Sequence, residues 1–281
     1  MALSRRYPNR LRSLFIAAAT TAVLASPVRA ASCGDGAAGF QAWLEEFKQE
    51  AAAQGVSRSV LQSALGGVEY DSKIISRDRS QGIFKRSFGS FSSRLLTPSR
   101  IAKGRALLRQ HAELLQRIER QYGVPGPVIV AIWGLETNFG AANGNLPIFR
   151  SVATLAYDCR RSENFKQELM AALMIVQRGY MRASAMRGDW AGEIGQTQLM
   201  PTSYLKYAVD FDGDGSADLI HDTADALAST ANFLRAKGWR PGAGWDEGEP
   251  NFQALLEWNQ ATVYAKTLAA FADILAGRRQ Q

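Results

Sequence analysis

Apolar residues recur three and four positions apart along almost the whole chain, and no stretch sustains the alternation of a strand. Phe40, Trp43, Leu44, Phe47 and Ala51 trace one face of a helix. Ser57 is placed to cap a shorter helix ending at Gly66-Gly67. Thr97-Pro98 supplies a cap and a first-turn proline. One helix is expected to run from there through Ile101, Leu107, Leu108, His111, Leu114, Leu115, Ile118 and Tyr122 until Gly123 stops it. Further helices are expected over 127–138, 163–177, 202–209, 224–236 and, with a break, 253–275. Residues 81–96 are less regular, and Phe84, Phe88 and Phe91 are expected to pack a wrapped segment onto the core. The expected fold class is therefore mostly α. With 46% apolar and 21% charged residues in 281, the chain has the material for a core and lacks the bias of disorder, collagen or a coiled coil.

The net charge of +7 misleads, because Arg5, Arg6, Arg10, Arg12 and Arg29 fall within an acid-free stretch, residues 1–30. Without those five the remainder carries +2, which gives no electrostatic case for nucleic acid. The same thirty residues read as an export signal. A basic segment from Arg5 to Arg12 precedes an apolar run from Leu14 to Ala25, and Val28-Arg29-Ala30 offers a cleavage site. The run is too short to span a bilayer. The expected division is a signal peptide over 1–30, a helical N-terminal region over 31–96 and a catalytic core over 97–281, located in the periplasm. A lipid anchor at Cys33 is disfavoured, since no leucine stands in Ala30-Ala31-Ser32.

Export also bears on the two cysteines, Cys33 and Cys159. A pair in an oxidising compartment is expected to bridge, with two inert thiols as the alternative. His111 and His221 lie in no ligand spacing with them, and two histidines make nucleophilic catalysis of the Ser–His or Cys–His type a poor prospect.

Three segments carry chemistry. Val124-Pro125-Gly126-Pro127 opens a helix whose apolar run, Val128 to Leu135, contains no charge until Glu136. A carboxyl among apolar side chains near a helix C-terminus has its ionised form disfavoured, which suits a general acid working near neutral pH. The alternative is a surface glutamate paired with an arginine. Next, Gly188-Asp189-Trp190-Ala191-Gly192-Glu193-Ile194-Gly195-Gln196-Thr197-Gln198-Leu199-Met200-Pro201 combines glycines with amides, the means for close backbone approach and for reading sugar hydroxyls. Trp190, Tyr204 and Trp258 are either flat faces for a saccharide or core. Finally, Asp210, Asp212, Asp214 and Asp218 with Gly215 and the Ser216 carbonyl follow an EF-hand-like calcium loop. His221 replaces the glutamate of position 12, and Asp222 or Asp225 is left to complete the shell, with Asp225 preferred.

In this order the segments resemble the lytic murein transglycosylases of the membrane-bound transglycosylase B type. The matching stretches include Tyr122 to Pro125, Trp133 to Gly140, Thr154 to Asp158, Arg160-Arg161, the loop ending Met200 to Tyr204, Tyr207 to Asp218, and Gly238-Trp239, with a fainter extension to Trp258-Asn259 and Tyr264. The resemblance implies a lysozyme-like core and Glu136 as catalytic acid. It also implies that Gln198, Asn259 and Tyr264 contact glycan and that Arg160 and Arg161 face the peptide stem. Asp189, where the family often has serine, joins the substrate-binding set. Glu193-Ile194 replaces the family's alanine-methionine, so Glu193 is an extra acid whose role is open.

The implied reaction needs one acid. It cleaves the MurNAc–GlcNAc β-1,4 bond of peptidoglycan and leaves 1,6-anhydromuramyl ends, by a monomer needing no cofactor for chemistry, with calcium only structural. The partner is the glycan strand, with cell-wall machinery proteins a further candidate. The alternatives are a lysozyme-type hydrolase using Asp189 or Glu193 as second carboxylate, and a non-enzymatic wall-binding protein.

Overall fold

The computed structural model describes residues 32–80 and 87–278. The expected signal peptide and Phe84 lie outside the described residues. Thirteen α-helices make up the described chain: α1 (Phe40–Ala53), α2 (Arg58–Leu65), α3 (Ser72–Arg79), α4 (Phe88–Leu95), α5 (Pro98–Gln110), α6 (Ala112–Tyr122), α7 (Gly126–Thr137), α8 (Ile148–Tyr157), α9 (Ser162–Gln177), α10 (Pro201–Tyr207), α11 (Thr223–Ala236), α12 (Phe252–Trp258) and α13 (Thr262–Ala276). The sheet is one antiparallel pair of two-residue strands, β1 (Leu146–Pro147) and β2 (Arg187–Gly188).

Helix α7 is the centre. Nine of its residues are buried, and it packs against α5, α6, α11 and α13. Its Gly134 leaves room for two rings, because a Cβ there would fall 2.7 Å from Phe139 and 2.9 Å from Phe271. The N-terminal helices coat the same body: α1 and α3 lie on α8, α2 on α9 and α4 on α13. Helix α1 buries the five residues that its period marks.

Two expectations are corrected. The helix begun at Pro98 does not run unbroken to Tyr122; it breaks at His111, whose backbone (φ −104°, ψ 21°) leaves the helical region. No glycine or proline marks the break. The His111 ring, half-buried, meets Trp133 of α7 edge-on at 5.8 Å, so the two segments are aligned by packing. Phe88 does not join the core and is 40% exposed, while Phe91 is half-buried. Helix α8, not among the helices expected from the sequence, buries nine of its ten residues, and no side chain caps its start at Pro147.

A disulfide joins Cys33 to Cys159, 126 positions apart, with Cα atoms 4.9 Å apart. Closing so long a loop restricts the unfolded chain and stabilises the fold by up to about 4–5 kcal/mol. Beside it, the Gly34 amide donates to the Tyr157 carbonyl at 2.9 Å. A Cβ on Gly34 would stand 2.4 Å from the Tyr157 hydroxyl, so this approach requires glycine. Next to the bridge, buried Asp78 of α3 accepts from Arg79 (3.0 Å), Arg160 (2.7 Å) and Arg161. Arg79 also reaches Asp158 at 2.7 Å. Burial alone would push the Asp78 carboxyl up, but the Arg160 and Arg161 guanidiniums outweigh it and hold the group below the usual range.

Candidate active site

Helix α7 ends in three consecutive left-handed residues, Asn138, Phe139 and Gly140, which turn the chain sharply just beyond Glu136. Thr137 ties this end to the glycine–glutamine loop. Its hydroxyl donates to the Gln196 carbonyl at 2.5 Å and accepts from the Gly140 amide at 2.8 Å. The loop folds on itself through paired bonds between Ile194 and Leu199 (2.8 and 3.0 Å), with Gln198 at φ 57° in the turn.

Glu136 receives two donors from the α12–α13 corner, both on Oε1. The Trp258 indole N–H donates at 2.8 Å and the Tyr264 hydroxyl at 2.5 Å. Burial raises the Glu136 carboxyl above its ordinary range, outweighing those two bonds, and the charge of Asp189 adds to the rise. The Tyr264 phenol is raised as well, by burial and then by the facing Glu136 charge.

Beside Glu136 lie two more acids. Asp189 Oδ1 accepts the backbone amides of Ala191 (2.7 Å), Gly192 (3.1 Å) and Glu193 (3.2 Å). Its carboxyl is nonetheless raised by burial. Glu193 is pushed well above its usual range by burial, then by the charges of Asp189 and Glu136. Glu193, Trp190, Asn259 and Arg161 share a cleft of about 380 Å3.

The other expected contact residues are distributed unevenly. Both Gln198 N–H bonds are spent within the protein, on the carbonyls of Gly195 (2.8 Å) and Asn143 (3.2 Å), which leaves its Oε1 for a ligand. Asn259 uses Oδ1 to accept the Ala261 amide at 3.0 Å and leaves its N–H donors to the cleft it lines. Arg161 lines the cleft while reaching back to Asp78 and lying over the Phe165 ring at 4.8 Å. Arg160 is committed to Asp78 by its side chain and by a further contact to the Asp78 carbonyl. Tyr204 is core, its hydroxyl held by the Ala217 carbonyl at 2.7 Å. Trp258 is neither core nor a free platform, and its bond to Glu136 has no signal in the sequence, where six positions separate it from Tyr264 across a helix break.

Ligand atoms of Asp210, Asp212 and Asp214 lie within 4.8 Å of one another on the surface. Asp218 and Asp225 fall outside this group of three. Asp218 accepts from the backbone of Ile220 and His221 and pairs with the His221 ring at 2.9 Å. Asp225 is buried and braces the loop by accepting the amides of Phe211 (2.7 Å) and Asp218 (2.9 Å). The Ser216 amide donates to Asp214 at 2.8 Å.

A family profile described as the transglycosylase SLT domain matches residues 39–249. The chain belongs to that family. Membrane-bound lytic murein transglycosylase B of Escherichia coli is 37% identical over 153 residues, 54% of this chain and 42% of that protein, so the chain spans about two fifths of that relative's length. SltB3 of Pseudomonas aeruginosa in complex with NAG-anhNAM-pentapeptide is 35% identical, covering 85% of this chain and 80% of that one with a TM-score of 0.79. The lytic transglycosylase Slt35 of Escherichia coli in complex with calcium is 26% identical at a TM-score of 0.73, covering 89% and 97% of the two chains. The fold of this SLT-domain chain is thus the mostly helical, lysozyme-like one that its sequence implied.

Proposed function

We infer that the protein is a lytic transglycosylase that cleaves the MurNAc–GlcNAc β-1,4 bond of peptidoglycan and leaves 1,6-anhydromuramyl ends. The observation that carries this reading is Glu136, a desolvated carboxyl whose Oε1 takes both protein donors and whose Oε2 is left to hold a proton. From Oε2 the proton passes to the glycosidic oxygen as the bond to the muramyl anomeric carbon breaks. The resulting carboxylate, held by Tyr264 and Trp258, then takes the proton of the muramyl 6-hydroxyl as that oxygen closes on the anomeric carbon. The nucleophile belongs to the substrate, so positioning replaces water activation. A hydrolase would need a carboxylate free to activate water. Asp189 is instead engaged by three backbone amides on its Oδ1.

Gln198 Oε1, the Asn259 amide, Tyr264 and Asp189 are assigned to the glycan, with Arg161 towards the stem peptide. Arg160 acts there by fixing Asp78. Asp210, Asp212 and Asp214 with the Ser216 carbonyl offer hard oxygen donors suited to calcium, which stabilises the loop and takes no part in the chemistry. The enzyme works as a monomer in the periplasm. Among the described residues no helix is long and apolar enough to cross a membrane. The bridge to Cys159 occupies the thiol that a lipid anchor on Cys33 would need.

Mass spectrometry of purified peptidoglycan digested by the protein tests the reading. Anhydro ends are expected; reducing ends carrying added water, or no cleavage, would reject it.

A further inference from the structure

Arg161 is the one cation among the described residues that line the cleft with Trp190, Glu193 and Asn259. Its place is set from outside the cleft. Asp78 of α3, 83 positions earlier, accepts from Arg161 Nη2 on its Oδ1 and from Arg160 Nε on its Oδ2 at 2.7 Å. Arg79 Nη1 adds a further donor to Oδ2 at 3.0 Å. The Asp78 side chain is 2% exposed and the Arg161 side chain 37%, so the anion lies inside and the cation faces out.

The backbone beneath the arginines is held as well. Cys159 is bridged to Cys33, and Asp158 accepts the Arg160 amide at 3.0 Å while pairing with Arg79 at 2.7 Å. Three guanidiniums therefore face two carboxylates, Asp78 and Asp158, which leaves a positive excess at the edge of the cleft.

We propose that Asp78 is a positioning residue for substrate selection: it holds the Arg161 guanidinium at the cleft edge to pair with a carboxylate of a stem peptide, so that glycan carrying peptides is preferred over bare glycan. The proposal deepens the assignment of Arg161 to the stem peptide and rests on it.

A guanidinium has five N–H donors in a planar fork, enough to serve Asp78 and still meet a carboxylate arriving from solvent. The cleft's other charged residues, Glu168 and Glu193, are acids, and Glu168 is engaged by the Thr202 amide (2.9 Å) and hydroxyl (2.7 Å). A peptide carboxylate thus finds its favourable place beside Arg161. Left unheld, a long flexible side chain must be ordered by the ligand, which weakens binding; held by Asp78, the fork is ordered beforehand. Sugar hydroxyls are neutral and gain little from a fixed cation, so the effect belongs to the peptide.

The test is the ratio of kcat/KM for anhydro-product release from peptide-bearing glycan to that from the same glycan stripped of peptides. It is measured for wild type, Asp78→Asn, Arg161→Ala and the double variant, well below unfolding. Asp78→Asn is expected to lower the ratio about tenfold, mainly through KM on the peptide-bearing glycan. Arg161→Ala should lower it at least as far, and the double variant no further than Arg161→Ala alone. A merely structural role would lower both rates together and leave the ratio unchanged. An unchanged ratio in either single variant, or effects that add in the double variant, would overturn the proposal. If Asp78→Asn shows no thermal transition, Asp78→Glu, which keeps the charge but shifts it by one methylene, decides by the same comparison. Absence of anhydro product from wild type would strike the transglycosylase reading instead, and calorimetric binding of the two glycans by the same variants would then decide the proposal.

Discussion

The Tyr264 hydroxyl stands 2.5 Å from Glu136 Oε1 across 128 positions of sequence. With the Trp258 indole on the same oxygen, it makes the two carboxyl oxygens of Glu136 inequivalent. One is fixed to protein, and the other takes neither donor. Both donors favour the carboxylate, so they limit a rise that burial imposes.

Tyr264→Phe should therefore lower kcat/KM about 10–100-fold, in keeping with about 1.5–3 kcal/mol for a hydrogen bond to a charged group. The sign on pH follows from the bond. Losing a donor that favours the carboxylate raises the Glu136 carboxyl further, so the ionisation of the free enzyme's acid should move to higher pH. A pH–rate profile of the variant showing that ionisation unmoved or lowered would count against the assigned bond.

Asp78 binds α3 to the segment just before α9 through Arg160 and Arg161, with Arg79 of its own helix beside them. Its carboxyl is held below the ordinary value of 3.8, so its contribution is present above that value and is lost as pH falls through the depressed one. Asp78→Ala should cost about 2–3 kcal/mol at neutral pH, less than a fully buried pair because the guanidiniums face water. Denaturant titrations at neutral and strongly acidic pH would show the gap between wild type and variant closing in acid.

Calcium should raise the midpoint of thermal unfolding, by an amount equivalent to about 2.7 kcal/mol at a hundred times its Kd. Chelator should reverse the rise, and Asp212→Asn should reduce it. Catalysis at a temperature well below unfolding should be unaffected. Calorimetry with no response to calcium would leave the loop without a cation.

Much of the helical architecture was legible because one-sided burial writes a period into the sequence, as in α1. Helix α8 was not, since no capping side chain marks its start at Pro147, and the break at His111 was not, since no glycine or proline stands there and its ring contact is with Trp133 on another helix. Glu136 stood out as the lone charge after an apolar run. Its partner Trp258 did not, because a hydrogen bond spanning 122 positions leaves no local pattern. The aspartate loop was legible as a spacing, but the spacing did not show that Asp225 is buried and braces the loop through the amides of Phe211 and Asp218.

The assignment of Glu136 as acid and then base meets its most direct test in Glu136→Gln, assayed by mass spectrometry for release of anhydromuropeptides. The substitution keeps the shape and the acceptor for Trp258 and Tyr264 but removes the transferable proton. Loss at or beyond about 10⁴-fold is expected, since the residue serves both half-steps and a single acid–base role contributes about 10²–10⁴-fold. The variant should stay folded and be at least as stable as wild type at neutral pH. The raised carboxyl lowers wild-type stability as pH climbs above the ordinary value of 4.5, and below that value the difference should vanish. A folded Glu136→Gln protein that keeps more than about a tenth of wild-type release, against the about 10²-fold minimum for such a role, would contradict the assignment.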